Sequence, residues 1–242
     1  MPATEGVSVV VPVYRNAATV APLHDQLVPH ASEIVFVVDG SPDDSLGAVL
    51  ALQQRSGIVQ VVALGKNAGQ TWALLTGLRY ASGDPIVMMD ADLQDPPAAI
   101  PALVDALRDA DVVFAGRRGA YESASRLLTS SVFKRMLSLA SRGRIPPDAG
   151  LFLAMRREVA ESLLHCADAE PYVISMLARG RWRMRSIPVA RARTEGKSGY
   201  TFLRRVSVAR RALRGLLLPP SRGAPIRTRV DAFPHVVHRR SS

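Results

Sequence analysis

Residues 85–97 read PIVMMDADLQDPP. The strand expected over 85–90 is an apolar run that ends on Asp90 and is followed at once by further acidic residues and a Pro-Pro pair. The run is short, continuous and bounded by turn-forming residues, the pattern of a strand buried on both faces. It delivers Asp90 and Asp92 at its carboxyl end, where an i, i+2 spacing puts both carboxylates on one side. Two like charges so close repel, and one takes up a proton unless a cation joins them. A hard divalent ion, Mg2+ or Mn2+, supplies that cation and suits oxygen ligands. Such an ion commonly bridges to phosphate oxygens, so a nucleoside diphosphate is the natural third party. An isolated DxD more often forms a turn or caps a helix. Here strand, DxD, Gln94 and Pro-Pro stand in order, which favours the metal reading.

Working outward, the first 115 residues alternate apolar runs with helical patterns. VSVVVPV (7–13), EIVFVVD (33–39), IVQVVAL (58–64) and DVVFAG (111–116) read as further buried strands. Helices are expected over 44–55, 69–81 and 97–109, the last with Pro at its first turn, where a missing N–H costs nothing. Repeated strand–helix–strand units imply an α/β fold with a mainly parallel central sheet flanked by helices. In such sheets the ligand sits beyond the carboxyl ends of the strands. The second half is less regular. A long helix is expected over 122–141, a strand over 150–156, a helix over 157–166 and a strand over 182–190. A basic amphipathic helix is expected over 200–214, and residues 216–242 read as a basic flexible tail.

Composition narrows the class. The chain has 242 residues, 48% hydrophobic and 21% charged, close to globular averages. The single cysteine, Cys166, excludes a disulfide scaffold and a multi-cysteine zinc site. No apolar run reaches the ~18–20 residues of a membrane span, and the N-terminus does not read as a signal peptide, so a cytoplasmic location is expected. Charge is unevenly spread: residues 1–110 carry five basic and twelve acidic side chains, residues 111–242 twenty-six and nine. Either the second half is a solvated Arg-rich surface or it meets phosphates. Aromatics are only 5%, with no RNA-binding, helix-turn-helix or zinc-finger signature, so no nucleic-acid partner is expected. EGKS (195–198) fails as a P-loop because Arg191 stands where the first glycine belongs.

The motifs together resemble family 2 glycosyltransferases of the GT-A (Rossmann-like) fold, close to the polyprenyl-phosphate and dolichol-phosphate sugar synthases. The likeness covers roughly residues 7–205. VVPVYRNAATV (10–20) is similar to the opening strand and loop, which implies that Pro12, Val13 and Tyr14 line the nucleotide base. VVDGSPDDS (37–45) is similar to the second-strand signature, which implies base binding by Asp39. NAGQTWALLTGLRYASGD (67–84) resembles the helix beside the donor, with Asn67 and Gly69 at its start. DADLQDPP resembles the segment in which both Asp and the Gln hold metal and diphosphate, implying Asp90, Asp92 and Gln94 as ligands and Ala91 as a donor contact.

In the second half AGRR (115–118) contributes Arg117, SRLLTSSVFKRML (125–137) contributes Arg126, and PPDAGLFLAMRREV (146–159) contributes Asp148. RTEGKSGY (193–200) resembles a segment near the active-site lid and contributes Arg193 and Lys197. Three positions depart from the pattern: Val38 replaces one carboxylate of the second-strand pair, Arg15-Asn16 replaces Asn-Glu, and Gly199 replaces a lysine.

The resemblance implies one domain: residues 1–115 as the nucleotide-sugar half and 116–215 as the acceptor half. The implied reaction moves a sugar, with inversion, from a UDP- or GDP-sugar to an acceptor. Metal on Asp90, Asp92 and Gln94, with Arg193 or Lys197 closing over it, would stabilise the leaving diphosphate. A polyprenyl phosphate is already anionic and needs cations, a task for Arg117 and Arg126. A hydroxyl acceptor needs a base instead, for which Asp148 is the best candidate. The lipid phosphate is favoured, because no Glu-Asp base motif is evident. Peripheral contact with an anionic membrane through the 200–214 helix follows from that choice. A non-catalytic binder of anionic surfaces is the reading from a different class.

Overall fold

The computed structural model describes residues 6–118, 141, 143–166, 171–190, 225–231 and 234–238. Among these, eight strands form one sheet: β1 (Ser8–Val13), β2 (Glu33–Asp39), β3 (Val59–Leu64), β4 (Ile86–Met88), β5 (Val112–Arg118), β6 (Leu153–Met155), β7 (Met184–Ala190) and β8 (His235–His238). Their order is β7-β5-β6-β4-β1-β2-β3-β8. The centre is parallel, with β1 pairing β2 and β4, and β2 pairing β3. β6 runs antiparallel between β4 and β5, β7 lies parallel to β5, and β8 closes the other end antiparallel to β3.

Helices cover both faces: α1 (Val20–Leu27), α2 (Ser45–Arg55), α3 (Gln70–Tyr80), α4 (Ile100–Asp105), α5 (Arg157–His165), α6 (Val173–Arg179) and α7 (Ile226–Asp231). The strands are valine-rich because each side of the sheet is sealed. Along β1, Val9, Val11 and Val13 face one layer with Leu23 of α1, Leu52 of α2 and Leu103 of α4. Val10 faces the other layer with Leu75 of α3, Leu163 of α5, Leu177 of α6 and Val230 of α7. This period-2 split makes a three-layer α/β/α sandwich. Each wholly buried Val or Leu contributes about 1.5–3 kcal/mol of transfer free energy.

Several expected elements are confirmed within a residue or two at their ends: β1, β2, β3, β5, α2, α3 and α5. The strand expected over 85–90 stops at Met88, because β4 finds partners only in Ser8–Val10 and Leu153–Met155. Asp90 therefore sits in a loop just beyond the ladder. The helix expected over 97–109 is split into a 3-10 turn at Pro97–Ala99, the short α4 and a second 3-10 turn at Ala106–Arg108. Pro101 has no N–H with which to continue a regular helix from the first turn.

Two helices absent from the sequence reading, α1 and α6, also form. α1 buries Val20, Leu23, His24 and Leu27 on one stripe, but it is only eight residues long and carries Pro22 and a buried His; α6 is buried along nearly its whole length and so shows no amphipathic stripe. The flexible tail assigned to 216–242 is corrected over its described part. α7 buries Ile226 and Val230 completely, and β8 extends the sheet. Arg79 pairs with Asp231 at 3.1 Å, and the Arg229 guanidinium lies 4.6 Å from the Trp72 ring centroid. The helix expected over 122–141, apart from Ser141, and that expected over 200–214 lie outside the described residues, as does the lid segment at 193–200.

Candidate active site

β6 reverses direction between β4 and β5, so β1, β2, β3, β4, β5 and β7 all present their carboxyl ends to one edge of the sheet. The strand order turns back at β1, with β2 and β3 on one side and β4 on the other. The crevice at such a switch point is where open α/β sheets bind ligands. Every expected site residue that is described lies in β1, β2, β5 or a loop on that edge.

The loops after β1 and β2 are tied to each other. The Arg15 backbone N–H donates to the Ser41 hydroxyl at 2.7 Å and that of Asn16 to the Ser45 hydroxyl at 3.0 Å. Both hydroxyls donate to Asp43 Oδ1, at 2.5 and 2.6 Å, and the Ala17 N–H reaches Asp43 Oδ2 at 3.2 Å. These donors, led by Ser41 and Ser45, hold the Asp43 carboxyl down at about 2. Gly40 makes the turn with φ +55°. A Cβ there would lie 2.4 Å from the Asn67 nitrogen, so only glycine fits.

The clamp leaves Tyr14 on the edge, 37% exposed, with the Arg15 guanidinium 5.6 Å from its ring centroid. Of the residues assigned to the base through the opening strand, Tyr14 alone presents a side chain there. Pro12 and Val13 are buried in the sheet, Val13 completely, so only their backbone can face a ligand.

Asp39 ends β2 and is 3% exposed. Its oxygens accept the backbone N–H groups of Ala68 at 2.6 Å and Gly69 at 2.9 Å. Burial pushes the carboxyl up, and the two N–H groups partly offset that. Asp39 thus anchors the turn into α3, placing its charge at the helix N-terminus. Asn67 is exposed on the same turn.

Beyond β4, Asp90, Ala91 and Asp92 follow without a break. Asp90 Oδ1 accepts the Gln70 Nε2 amide at 2.5 Å. Ala91 is buried, and its carbonyl accepts the Thr19 hydroxyl at 2.6 Å and the Asn16 amide at 3.4 Å. Asp92 Oδ1 accepts the Gln94 backbone N–H at 3.1 Å, closing a turn in which Leu93 is left-handed at φ 61°. Among the described residues Arg15 at φ 58° is the other non-glycine with positive φ. Both strained residues follow adjacent strands on this edge, the placement typical of functional loops.

No group of three or more His, Cys, Asp or Glu positioned for a metal occurs among the described residues. The two carboxylates nevertheless fit Mg2+ or Mn2+ in kind. Such ions are held by one or two protein carboxylates, with phosphate and water supplying the rest.

Asp148 enters from the loop before β6 and is half-buried. Its Oδ2 accepts the Ser186 hydroxyl at 2.7 Å, and a Cβ at Gly116 would lie 2.0 Å from the same oxygen. The bare α-carbon of Gly116 makes the pocket for this carboxylate. β6 alone separates β4 from β5, so the strand that leads to Asp90 and the strand that pockets Asp148 are two spacings of ~4.8 Å apart in the sheet. Arg117 lies near the carboxyl end of β5. Its side chain, and all of Arg126, Arg193 and Lys197, lie outside the described parts.

Sequence reasoning missed Gln70, the Asp43 clamp and the Ser186–Asp148 bond. A polar residue next to the glycine that opens α3 was a usable signal for Gln70; the other two are long-range pairings with no local signature.

The glycosyl transferase family 2 profile matches residues 8–164. The undecaprenyl-phosphate 4-deoxy-4-formamido-L-arabinose transferase of Sodalis glossinidius (strain morsitans) is 32% identical over 212 residues, covering 84% of this chain and 65% of that protein. The protein of the same name from Yersinia pestis (strain Pestoides F) is 34% identical, covering 84% and 64%. The chain therefore spans just under two thirds of these relatives' length. Among solved structures, glucosyl-3-phosphoglycerate synthase from Mycobacterium tuberculosis, crystallised with Mn2+, UDP-glucose and phosphoglyceric acid, superposes with a TM-score of 0.64. That match has 21% identity and covers 89% of this chain and 81% of that one, a likeness of fold.

Proposed function

We propose that this chain, which belongs to glycosyl transferase family 2, moves a sugar with inversion from a nucleoside diphosphate sugar to a polyprenyl phosphate, using a divalent cation. The observation that carries the reading is the placement of Asp90 and Asp92 beyond β4, next to the switch point, with Tyr14 and Asp39 at the ends of the neighbouring strands. The names of the relatives supply the acceptor class.

Tyr14 offers an aromatic face to the base, and the Asp39-anchored turn shapes the wall beside it. Asp90 and Asp92 would hold Mg2+ or Mn2+, which when bound neutralises charge on the departing diphosphate. Gln94 is a further candidate ligand. Arg193 and Lys197 are the candidates to close over the donor. Arg117 and Arg126 are the candidates to hold the acceptor phosphate, whose oxygen is anionic near neutral pH and attacks without a strong base.

Asp148 supports a second reading. It is a fixed carboxylate on the same edge, suited to act as a base toward a hydroxyl acceptor. No described helix is long and apolar enough to cross a membrane.

The test is a panel of labelled UDP-, GDP- and dTDP-sugars with Mn2+, given undecaprenyl phosphate in one arm and hydroxyl acceptors (sugars and glycans) in the other, followed by organic extraction. Label entering the lipid phase as an acid-labile sugar phosphate is expected. Label reaching only hydroxyl acceptors would favour the second reading, and no transfer from any donor would overturn the first.

A further inference from the structure

Gln70 is the first residue of α3, and its side chain belongs to none of the expected ligand positions. It is half-buried, and its amide nitrogen donates to Asp90 Oδ1 at 2.5 Å. The residues just before it are held from the other side, because Asp39 takes the N–H groups of both Ala68 and Gly69. Gly69 has φ +93°, and a Cβ there would meet nothing within 4 Å, so its role is to turn the chain rather than to fill space. A continuous path therefore runs from the carboxyl end of β2 to the loop beyond β4: Asp39, the Ala68–Gly69 backbone, the first turn of α3, Gln70 and Asp90.

The chemistry of that last contact is specific to a carboxamide. A carboxylate that is to meet a cation must be aimed, and an unaimed one loses rotamer freedom only when the ion arrives. Lys or Arg would aim Asp90 equally well but would neutralise it and compete with the incoming ion. Gln donates one neutral hydrogen bond, engages Oδ1, and leaves the charge of the Asp90–Asp92 pair undiminished. Partners behind metal-binding carboxylates commonly act in this way.

We infer that Gln70 is a positioning residue: held by the Asp39-anchored turn, it orients the Asp90 carboxylate toward a divalent cation without contributing charge. The inference rests on the proposed cation role of Asp90 and Asp92 and names the residue that prepares that site.

The experiment uses the full chain and three proteins: wild type, Gln70→Leu, which deletes the donor, and Gln70→Lys, which keeps a donor but adds a charge. Mn2+ binding is read from the loss of the free-ion electron paramagnetic resonance signal, with UDP and separately GDP at saturation. Melting temperatures are taken in EDTA. Gln70→Leu should weaken Mn2+ binding by about 10–100-fold, and Gln70→Lys should weaken it at least as much. Melting in EDTA should stay near wild type for Gln70→Leu and be unchanged or higher for Gln70→Lys, through its new ion pair. Mn2+ affinity within about twofold of wild type in either variant would overturn the role assigned to Gln70. If Gln70→Leu does not fold, Gln70→Asn replaces it: its neutral amide is one carbon too short to reach Asp90, so a positioning role predicts the same loss of Mn2+ affinity, and affinity within about twofold of wild type overturns it. If wild type binds no Mn2+ with either nucleotide, the cation reading of Asp90 and Asp92 fails and takes this inference with it, an outcome distinct from wild-type binding that Gln70 does not affect.

Discussion

The two edges of the sheet use their polar residues differently. At the carboxyl edge, Ser41, Asp43, Ser45, Asp39 and Thr19 bind backbone groups of neighbouring loops, and they leave Tyr14 and Asn67 exposed and Asp90 and Asp92 half-buried at the rim. At the amino edge, arginines staple the strand starts together. Arg157 donates to the carbonyls of Ala81 and Gly83, while its backbone N–H reaches Asp84 Oδ1 at 2.9 Å. Arg156 donates to the Leu107 carbonyl at 2.6 Å and the Ala110 carbonyl at 3.3 Å. Asp111 accepts the Arg183 backbone N–H at 2.7 Å and its guanidinium at 3.2 Å, contacts that hold its carboxyl below the usual range. The lesson concerns charge. An arginine-rich second half reads in the sequence as either a solvated surface or one that meets phosphates, yet Arg156, Arg157 and Arg183 serve the fold, on the edge away from the site.

The sharpest way to break this contrast is Asp92→Asn. It removes one charge from the Asp90–Asp92 pair and touches only its own turn, so transfer should fall by about 10²–10³-fold with melting nearly unchanged. Steady-state kinetics and calorimetry on one preparation check both halves. Next in size is Ile226→Ala in α7, which is wholly buried. It should cost about 2–4 kcal/mol and spare kcat/KM at temperatures well below melting. An unchanged melting temperature would return the C-terminal segment to a loose tail.

Arg157→Ala at the amino edge should cost about 1–2 kcal/mol, since the side chain is 30% exposed and its bonds are partly shared with water. That corresponds to a fall of roughly 2–8 °C in melting temperature for a chain of this size. Its kcat/KM should match wild type, and a selective loss of activity would blur the division between the edges.

The smallest effect is a pH dependence. The Asp43 carboxyl is lowered from 3.8 to about 2 in the fold. Its contribution is fully present above about pH 4 and is lost as pH falls toward 2, because the unfolded chain takes up the proton first. Asp39 is shifted the other way, so its burial costs stability as pH rises above 3.8. Asp43→Ala should therefore flatten the acid limb of melting temperature against pH between about 2 and 4, leaving the curve near neutrality parallel to wild type.

What was legible in the sequence follows from where the information is local. The strands of the first half are continuous β-branched runs, and a run sealed on both faces declares itself without its neighbours. The DxD after such a run is equally local, and so was the placement of Tyr14, Asp39 and Asp92 on one edge. The misses are non-local. β8 is short and depends on β3 for its pairing, and nothing in HVVH at 235–238 distinguishes it from a loop. α6 is buried nearly all round, which erases helical periodicity. Pro12 and Val13 belong to a motif that borders the site, but their alternation along β1 sends the side chains into the core. Gln70 is separated from Asp90 by twenty residues, and their contact exists only after α3 docks against the sheet.

The central claim is that the carboxylates beyond β4 hold a cation which in turn holds the donor diphosphate. Isothermal titration of UDP and GDP into wild type, Asp92→Asn and Arg157→Ala, each with Mn2+ and with EDTA, tests it most directly. The account predicts that Mn2+ tightens binding of at least one nucleotide by tenfold or more in wild type and Arg157→Ala, and that the gain vanishes in Asp92→Asn. Equal affinity with Mn2+ and EDTA in wild type, or an undiminished gain in Asp92→Asn, would contradict it.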